Sequence, residues 1–512
     1  MMRPLACLLL LVGLAAGQAE PLAWQVDGSR TFAISPFVYG VNHPTWEKQG
    51  WTATISRVGG NRLTAYNWET NASNAGSDWQ HQNDNLMGGD VPGESMQKAV
   101  ASSHEHGAAC IMTVPILGRV AADKKGDGDV NKTPDYLNKR FLPSLPKKDA
   151  PFADPPDLAD GKVYQDEFVA WLEKRFPKAH EDPRRTIFYA LDNEPELWAT
   201  THARIHPDKV RFEEVVRLNV DYAEAVKRVT PKALVFGFVS YGWHGLTTLQ
   251  NAPDRNGRDF SEFFLEEMKA AERKAGRRLV DVFDLHFYPE AMGGKTRVME
   301  DSSSPETAAA RIQSPRSLWD PTYKESSWIA NALNGPIRLL PRVREKIEKH
   351  YPGTKLGVTE YYYGGGDHIS GALAQADVLG IYGREGVFAA TLYHLGQTDD
   401  RFINAAFALF RNYDGKGGAF GDTGLEVAGG DPARASLYAS RDAQNRVVLI
   451  ALNKTNGPLS LRAELKALPP FKAATLYRVS AGEARPVAAG ELPADSPTSL
   501  TAELPPLTAT AF

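Results

Sequence analysis

The strongest constraint in this sequence is a count of eight. Eight short apolar, β-rich runs lie at residues 37–42, 55–60, 108–115, 186–193, 233–240, 282–288, 355–361 and 387–394, each separated from the next by a helical or loop-like stretch. That alternation is the pattern of repeated β/α units and not of a sandwich. Between the fourth and fifth runs Phe212, Val215, Val216, Asn219, Tyr222, Ala223 and Val226 recur at helical spacing, which predicts an amphipathic helix with one mostly apolar face. Val169, Leu172 and Phe176 mark a second helix, Phe260, Phe263, Phe264 and Met268 a third, and Leu339, Val343 and Ile347 a fourth. Eight parallel strands covered by helices close into a (β/α)8, TIM-like barrel. The competing fold, an open doubly wound sheet, normally holds a nucleotide on a glycine-rich turn after its first strand. Gly364-Gly365-Gly366 lacks the Lys-Ser/Thr of a phosphate loop, and Gly59-Gly60 lacks the third glycine of the dinucleotide fingerprint.

Past Asp414 the pattern changes. Gly415, Gly417, Gly418, Gly421 and Gly424 interrupt the chain, and short alternating runs at 435–440, 447–452, 459–463, 473–479 and 500–504 then replace the helices. Bounded by Asn456-Gly457 and by proline clusters, they read as an all-β sandwich domain. Residues 24–34 alternate as well and are expected to add an edge strand to it. At 512 residues the chain exceeds one ordinary core. The expected division is a signal peptide over 1–19, an N-terminal strand over 20–36, a catalytic barrel over 37–414 and a β-sandwich over 415–512.

Met1-Met2-Arg3 and the apolar run at 5–16 have the layout of a secretory leader, with Gly17 and Ala19 as the small residues before a cleavage point. A secreted protein, extracellular or periplasmic, is the expectation, with no membrane partner, because no later apolar run approaches the roughly 20 residues of a spanning helix. Cys7 would leave with the leader, so Cys110 remains alone and is expected in the core. The sequons at Asn71, Asn131 and Asn453 matter only in a glycosylating host. Lys+Arg total 58 against 62 Asp+Glu, a formal net charge of -4 that leaves no basic excess to neutralise phosphates. Nucleic acid is excluded as a partner on that balance, and neutral substrates fit better.

In a TIM-like barrel the chemistry gathers where the strands end and the βα loops meet. The fourth run delivers Asn193-Glu194-Pro195 into such a loop, and the seventh ends in Thr359-Glu360-Tyr361, setting a second glutamate at equal height on the opposite side of the barrel. Cleaving a glycosidic bond needs one carboxylic acid to protonate the leaving oxygen and one carboxylate to attack or stabilise the anomeric carbon. Mutual repulsion and partial burial would hold one of the two protonated near neutral pH while the other stays ionised. A single glutamate at a strand end is usually a surface or salt-bridged residue, whereas this pair requires strand number, height and residue type to agree.

Around these residues the chain resembles glycoside hydrolase family 44, secreted endo-β-glucanases and xyloglucanases. Four blocks carry the resemblance: Arg57-Val58-Gly59-Gly60-Asn61-Arg62 with Tyr66-Asn67-Trp68-Glu69, Asn74-Ala75-Gly76 and Asp78-Trp79; residues 192–198; residues 284–290; and residues 359–371. The resemblance implies a (β/α)8 barrel with a β-sandwich built from both chain ends, and retention of configuration with Glu194 as acid/base and Glu360 as nucleophile.

Several other residues are candidates to support that chemistry. Asn193 is suited to hydrogen-bond a sugar 2-hydroxyl. His286 and Tyr288 alternate along the sixth strand and point into the barrel, where Tyr288 can orient the nucleophile; a satisfied core pair is the alternative. Arg57 either forms a structural ion pair or keeps Glu360 ionised, and the second is favoured. Of the aromatic residues Trp68, Trp79, Trp198, Tyr241, Trp243, Trp319, Trp328, Tyr361 and Tyr393, about half are expected to stack on glucosyl rings, with Trp68 and Trp328 first because each lies in a polar loop. Tyr393 departs from the tryptophan that the resemblance leads one to expect at the end of the eighth strand.

His104-Glu105-His106 lacks the His-Glu-x-x-His spacing of a zinc site and reads as an exposed helix end. No cofactor is required; a structural calcium is compatible with the acidic loops carrying Asp127 and Asp129, or Asp154, Asp157 and Asp160, which otherwise read as solvated loops. The expected protein is a monomeric, secreted, retaining endo-acting β-1,4-glucan hydrolase acting on cellulose-type glucans or xyloglucan. The alternatives are a xylanase or mannanase on the same scaffold, and a non-catalytic carbohydrate-binding protein, which would be expected to lack one glutamate or its supports.

Overall fold

The computed structural model describes residues 20–47, 49–300, 302–394 and 399–512; the expected leader over 1–19 lies outside them. Strand β1 (Leu22–Ala33) precedes eight strands that close into a barrel: β2 (Gly40–Asn42), β3 (Ile55–Val58), β4 (Ala109–Val114), β5 (Ile187–Leu191), β6 (Val235–Ser240), β7 (Val282–Phe287), β8 (Lys355–Tyr361) and β9 (Ala389–Leu392). Each lies within one of the eight runs read from the sequence, and all eight neighbouring pairs are parallel, β9 returning to β2. Helices cover the outside. In Phe212–Val229 the residues Phe212, Val215, Leu218, Tyr222 and Val226 are buried, with Glu213 and Glu214 in the first turn and Lys227 and Arg228 in the last, charges that complement the helix dipole. Asp259 caps Phe260–Ala275 by accepting the Glu262 N–H, and Gly276 ends it in the left-handed conformation at φ 68°.

The barrel interior has two levels. At the floor, Phe37, Ile55, Ile111, Phe188, Phe236 and Val282 form an apolar plug, with Phe37 and Phe188 edge to face at 5.2 Å. Each such buried side chain stabilises the fold by about 1.5–3 kcal/mol. Above the plug the interior turns polar, with Asn42, Arg57, Thr113, Asp284, His286, Thr359 and Thr391 all buried. A packed floor therefore carries a hydrogen-bonding layer beneath the mouth.

The remaining strands are β10 (Thr423–Gly429), β11 (Ala435–Arg441), β12 (Val447–Asn453), β13 (Leu459–Lys466), β14 (Ala473–Ser480), β15 (Glu483–Pro493), β16 (Ser499–Leu504) and β17 (Thr508–Ala511). With β1 they make one ladder in the order β15-β14-β17-β12-β11-β10-β1-β13-β16. The ladder folds over, because Leu449 and Ala451 of β12 share a core with Leu500, Ala502 and Leu504 of β16. The other face of β12, with Val448, Ile450 and Leu452, packs into the barrel's own core. Strand β1 is not at the edge: it pairs antiparallel with β10 and parallel with β13. Alternation of Trp24 and Val26 fixed which face is buried, but alternation carries no information about neighbours. Between barrel and sheet, Lys454 and Asp377 form a buried ion pair at 2.7 Å, and Tyr438 Oη donates to the same carboxylate at 2.6 Å.

Cys110 is buried in β4, where burial pushes its thiol up to about 11. Asn71 and Asn453 are buried, leaving Asn131 as the exposed sequon asparagine. Among the described residues no helix is long and apolar enough to cross a membrane.

Candidate active site

The turn after β5 sets the first glutamate. Asp192, fully buried, accepts the backbone N–H groups of Ile116 at 2.6 Å and Leu117 at 3.2 Å, which pins the strand end to the loop after β4. Asp192 and Glu194 both adopt left-handed backbone, at φ 66° and 47°, conformations that non-glycine residues visit rarely and that persist only where neighbours enforce them. Here the neighbours are explicit. Glu194 N–H donates to Val239 O at 3.0 Å, and Glu196 Oε1 accepts from Ser240 Oγ at 2.7 Å and Tyr241 N–H at 2.9 Å. Burial raises Asp192 to about 6 and Glu196 to about 7, partly offset by the hydrogen bonds they accept.

A bulge aims the second glutamate. Pairing between β7 and β8 runs Leu285 to Val358 and then His286 to Glu360, so Thr359 is the extra residue. Thr359 and Glu360 consequently both turn inward: Thr359 Oγ1 donates to Asp284 Oδ2 at 2.7 Å, and Arg57 Nη1 donates to Glu360 Oε1 at 2.6 Å. Tyr288 Oη donates to the other oxygen of Glu360 at 2.8 Å. Burial pushes the Glu360 carboxyl up, but the charges of His286 and Arg57 and these two hydrogen bonds outweigh it and hold it below its ordinary value.

Strands β5 and β8 are three apart around the barrel, so the glutamates do not face each other across a diameter as expected from the sequence. His286, on β7 between them, reaches both. Its Nδ1 lies 2.8 Å from Glu194 Oε1 and 3.5 Å from Glu360 Oε2, and one oxygen of each glutamate and a ring nitrogen all fall within 4.8 Å of one another. Burial opposes charge on His286, but Glu360 and the bond to Glu194 raise it above the ordinary imidazole range. Arg57 Nη2 donates to Asn193 Oδ1 at 2.8 Å, and its Nη1 to Asn42 Oδ1 at 3.1 Å. Arg57, Asn193, Glu194, His286, Tyr288 and Glu360 thus form one connected cluster at the barrel mouth.

The aromatic expectations divide. Trp328 is 41% exposed and stacks on His244 at 4.4 Å, and Trp79 is 57% exposed. Tyr393 is half-buried and, with Asn42, His43, His394 and Asp400, lines a cavity of about 580 Å³ at the mouth. Trp68 must be corrected: it is buried against Phe168 and Trp171, and its indole N–H donates to Tyr164 O at 3.2 Å, so its ring cannot meet a sugar. Tyr361 is corrected for a different reason. The bulge that turns Glu360 inward sends Tyr361 outward, where it packs edge-on to Tyr382 at 5.2 Å and accepts from Gln375 at 3.0 Å. Trp198 is core as well.

The acidic loops are largely occupied by cations of the protein itself. Arg140 pairs with Asp123 at 2.6 Å and Asp127 at 2.8 Å, Arg204 with Asp129 at 2.7 Å, and Lys174 with Asp154 at 2.9 Å. Asp157 and Asp160 accept backbone N–H groups within their own loop. His104 and His106 diverge, towards Phe176 and Trp46. Among the described residues the one grouping with metal-like spacing is Glu194, His286 and Glu360. A guanidinium 2.6 Å from Glu360 already supplies the positive charge that an ion would bring there.

Asn42, Glu196, Asp284 and Thr359 belong to this cluster or its supports and were not singled out from the sequence. Asp284 was within reach, since it shares the alternating face of His286 and Tyr288; the others depend on the bulge and on contacts between strands.

Residues 72–291 match the model of glycoside hydrolase family 44. Endoglucanase A of Paenibacillus lautus is 42% identical over 448 residues, covering 83% of this chain and 62% of that protein. Beta-mannanase/endoglucanase A of Caldicellulosiruptor saccharolyticus is 40% identical over 476 residues, covering 87% of this chain and 35% of that protein. The chain therefore spans less than two thirds of the length of either. A family 44 xyloglucanase of Paenibacillus polymyxa, solved with xyloglucan, is 37% identical with a TM-score of 0.90, covering 96% of this chain and 99% of that one.

Proposed function

The chain belongs to glycoside hydrolase family 44, and from that premise we propose that it is a retaining, endo-acting β-1,4-glucanase that also accepts xyloglucan. One observation carries the reading: an oxygen of Glu194 and an oxygen of Glu360 lie within 4.8 Å of each other around His286. Retaining hydrolases hold their two carboxyl groups about 5–5.5 Å apart, whereas inverting ones leave roughly 6.5–9.5 Å for a water between them.

In this reading Glu360, ionised and oriented by Arg57 and Tyr288, attacks the anomeric carbon. Glu194, the more exposed of the two, protonates the departing glycosidic oxygen. A water then attacks the glycosyl-enzyme while Glu194 takes its proton, so both carboxyls return to their starting states. Asn193, fixed by Arg57, offers its amide to the sugar's 2-hydroxyl, and Trp328 and Tyr393 supply stacking surface along the mouth. The intact set of Arg57, Tyr288 and both glutamates favours an enzyme over a non-catalytic binding protein. Secretion after removal of residues 1–19 and a monomeric state complete the proposal.

The test is hydrolysis of soluble β-glucan, xyloglucan, xylan and mannan by wild type, Glu194→Gln and Glu360→Gln, with the anomer of the first product followed by NMR. Retention on β-glucan or xyloglucan and near-complete loss in Glu360→Gln are expected. An inverted first product, or undiminished activity in Glu360→Gln, would remove the nucleophile assignment. A preference for xylan or mannan would move the substrate and leave the mechanism.

A further inference from the structure

Strand β7 sends Val282, Asp284 and His286 into the barrel, with Phe283, Leu285 and Phe287 packed outward. Val282 belongs to the plug and His286 reaches the glutamates. Asp284 lies between these levels, fully buried, and takes no part in the reaction described above. Its Oδ2 accepts the Thr359 hydroxyl, while Oδ1 has no partner among protein atoms. On the same face His286 Nε2 has none either, although its Nδ1 is hydrogen-bonded to Glu194. Two buried polar atoms, one able to donate and one to accept, are costly to leave unjoined. Alternate residues on a strand are about 6.6 Å apart along it, so the two side chains are neighbours on one face and close enough to share a buried water. Gly357, paired with Asp284 on the neighbouring strand, lets the carboxylate sit against the plug: a Cβ there would stand 3.0 Å from Asp284 Oδ1, 3.1 Å from Val282 and 3.3 Å from Phe236.

We propose that Asp284, through one buried water, accepts the Nε2 proton of His286 and so keeps Nδ1 free to share a second proton with Glu194. Asp284 is then a positioning residue for the acid/base, and the inference rests on the assignment of Glu194 to that role. The proton count follows. With Nε2 protonated, the shared proton sits either on Glu194, facing a neutral imidazole, or on Nδ1, facing a carboxylate. Glu194 delivers it to the glycosidic oxygen and recovers one from the attacking water, so the pair ends the cycle with the same two protons. Without Asp284, Glu194 draws the single imidazole proton to Nδ1, Nε2 is bare, and Glu194 remains ionised with nothing to donate.

The titratable and charged groups around this pair act in both directions. Glu194 beyond β5 and Glu360 on β8 favour a charged imidazole, Arg57 on β3 opposes it, and Glu196 beyond β5 is itself raised by burial. His43 beyond β2, Tyr241 beyond β6, Tyr288 beyond β7 and Tyr393 beyond β9 complete the ring. Burial pushes Asp284 itself up, while His286, Arg57 and Thr359 pull it down.

The experiment compares the pH profile of kcat/KM for wild type and Asp284→Asn on soluble β-glucan, together with ¹⁵N spectra of histidine-labelled enzyme, His286 being assigned from its loss in His286→Gln. The alkaline limb should fall by about one pH unit or more in Asp284→Asn with the acid limb unmoved. In wild type, Nε2 of His286 should remain protonated across the active range. An unmoved alkaline limb in folded Asp284→Asn, or a bare Nε2 in wild type, overturns the proposal. Should the variant fail to fold, the wild-type spectrum decides alone. Full activity of Glu194→Gln on the polysaccharide would instead overturn the acid/base assignment, an outcome separable from either of these.

Discussion

Replacing Arg57 by methionine removes one charge from a site where the structure shows what each neighbour contributes. Arg57 is fully buried and touches Glu360 at 2.6 Å. An opposite charge at such range lowers a carboxyl by about 1–3 pH units, or about 1.4–4 kcal/mol at about 1.36 kcal/mol per unit. Burial acts in the other direction and persists in the variant, so Glu360 would keep only His286 and Tyr288 to hold it ionised. The sign follows: a carboxyl held below its ordinary value rises when the guanidinium leaves, and under the role proposed for Glu360 the acid limb of kcat/KM moves up by about 1–3 units. At a pH below both limbs the rate falls about 10- to 1000-fold relative to wild type. Asn42 and Asn193 also lose a donor, and breaking a buried pair costs about 3–5 kcal/mol, so melting must be followed alongside kinetics. Arg57→Lys keeps charge without the fork and should show a smaller shift. The profile is measured on soluble β-glucan at temperatures where circular dichroism shows the variant folded. An acid limb unmoved in folded Arg57→Met would refute the claim that this guanidinium keeps Glu360 ionised.

Three further outcomes are expected. Lys454→Met strands Asp377 between barrel and sheet and should cost about 3–5 kcal/mol in denaturant unfolding, most of it recovered by adding Asp377→Leu; a loss below about 1 kcal/mol would show the pair to be solvated. Glu196 is raised from 4.5 to about 7, so the folded state favours its protonated form and stability falls as pH rises through that window; Glu196→Gln should match wild type near pH 4.5 and exceed it by at most about 3 kcal/mol above pH 7, and identical melting curves at both ends would contradict this. Trp68→Ala should lower stability by about 3–5 kcal/mol with KM unchanged, while Trp328→Ala should raise KM with melting unchanged; the reverse pattern would exchange the assignments made from burial.

Much of the architecture was legible because it depends on local patterns. The eight barrel strands follow from apolar runs with helical spacing between them, and Glu194 and Glu360 were visible because each ends such a run. In the sheet, β10, β15 and β17 escaped notice: β10 lies in the glycine-rich stretch, β15 is largely exposed, and β17 is four residues long. The central position of β1 was equally out of reach, since its pairing with β10 and β13 joins residues hundreds of positions apart.

The site divides along the same line. Sequence alone determined the residue types at the strand ends and, through the period of two, that Asp284, His286 and Tyr288 share a face. Only tertiary structure decided which side of β8 carries the carboxylate. One unpaired residue, Thr359, reverses the parity of all that follows, turning Glu360 into the barrel and Tyr361 out of it. Burial is decided in the same way: Trp68 in its polar loop looks exposed until Phe168 and Trp171 close over it. Periodicity is a property of neighbours along the chain, whereas a bulge's register and a side chain's cover are set by segments that meet only once the barrel has closed.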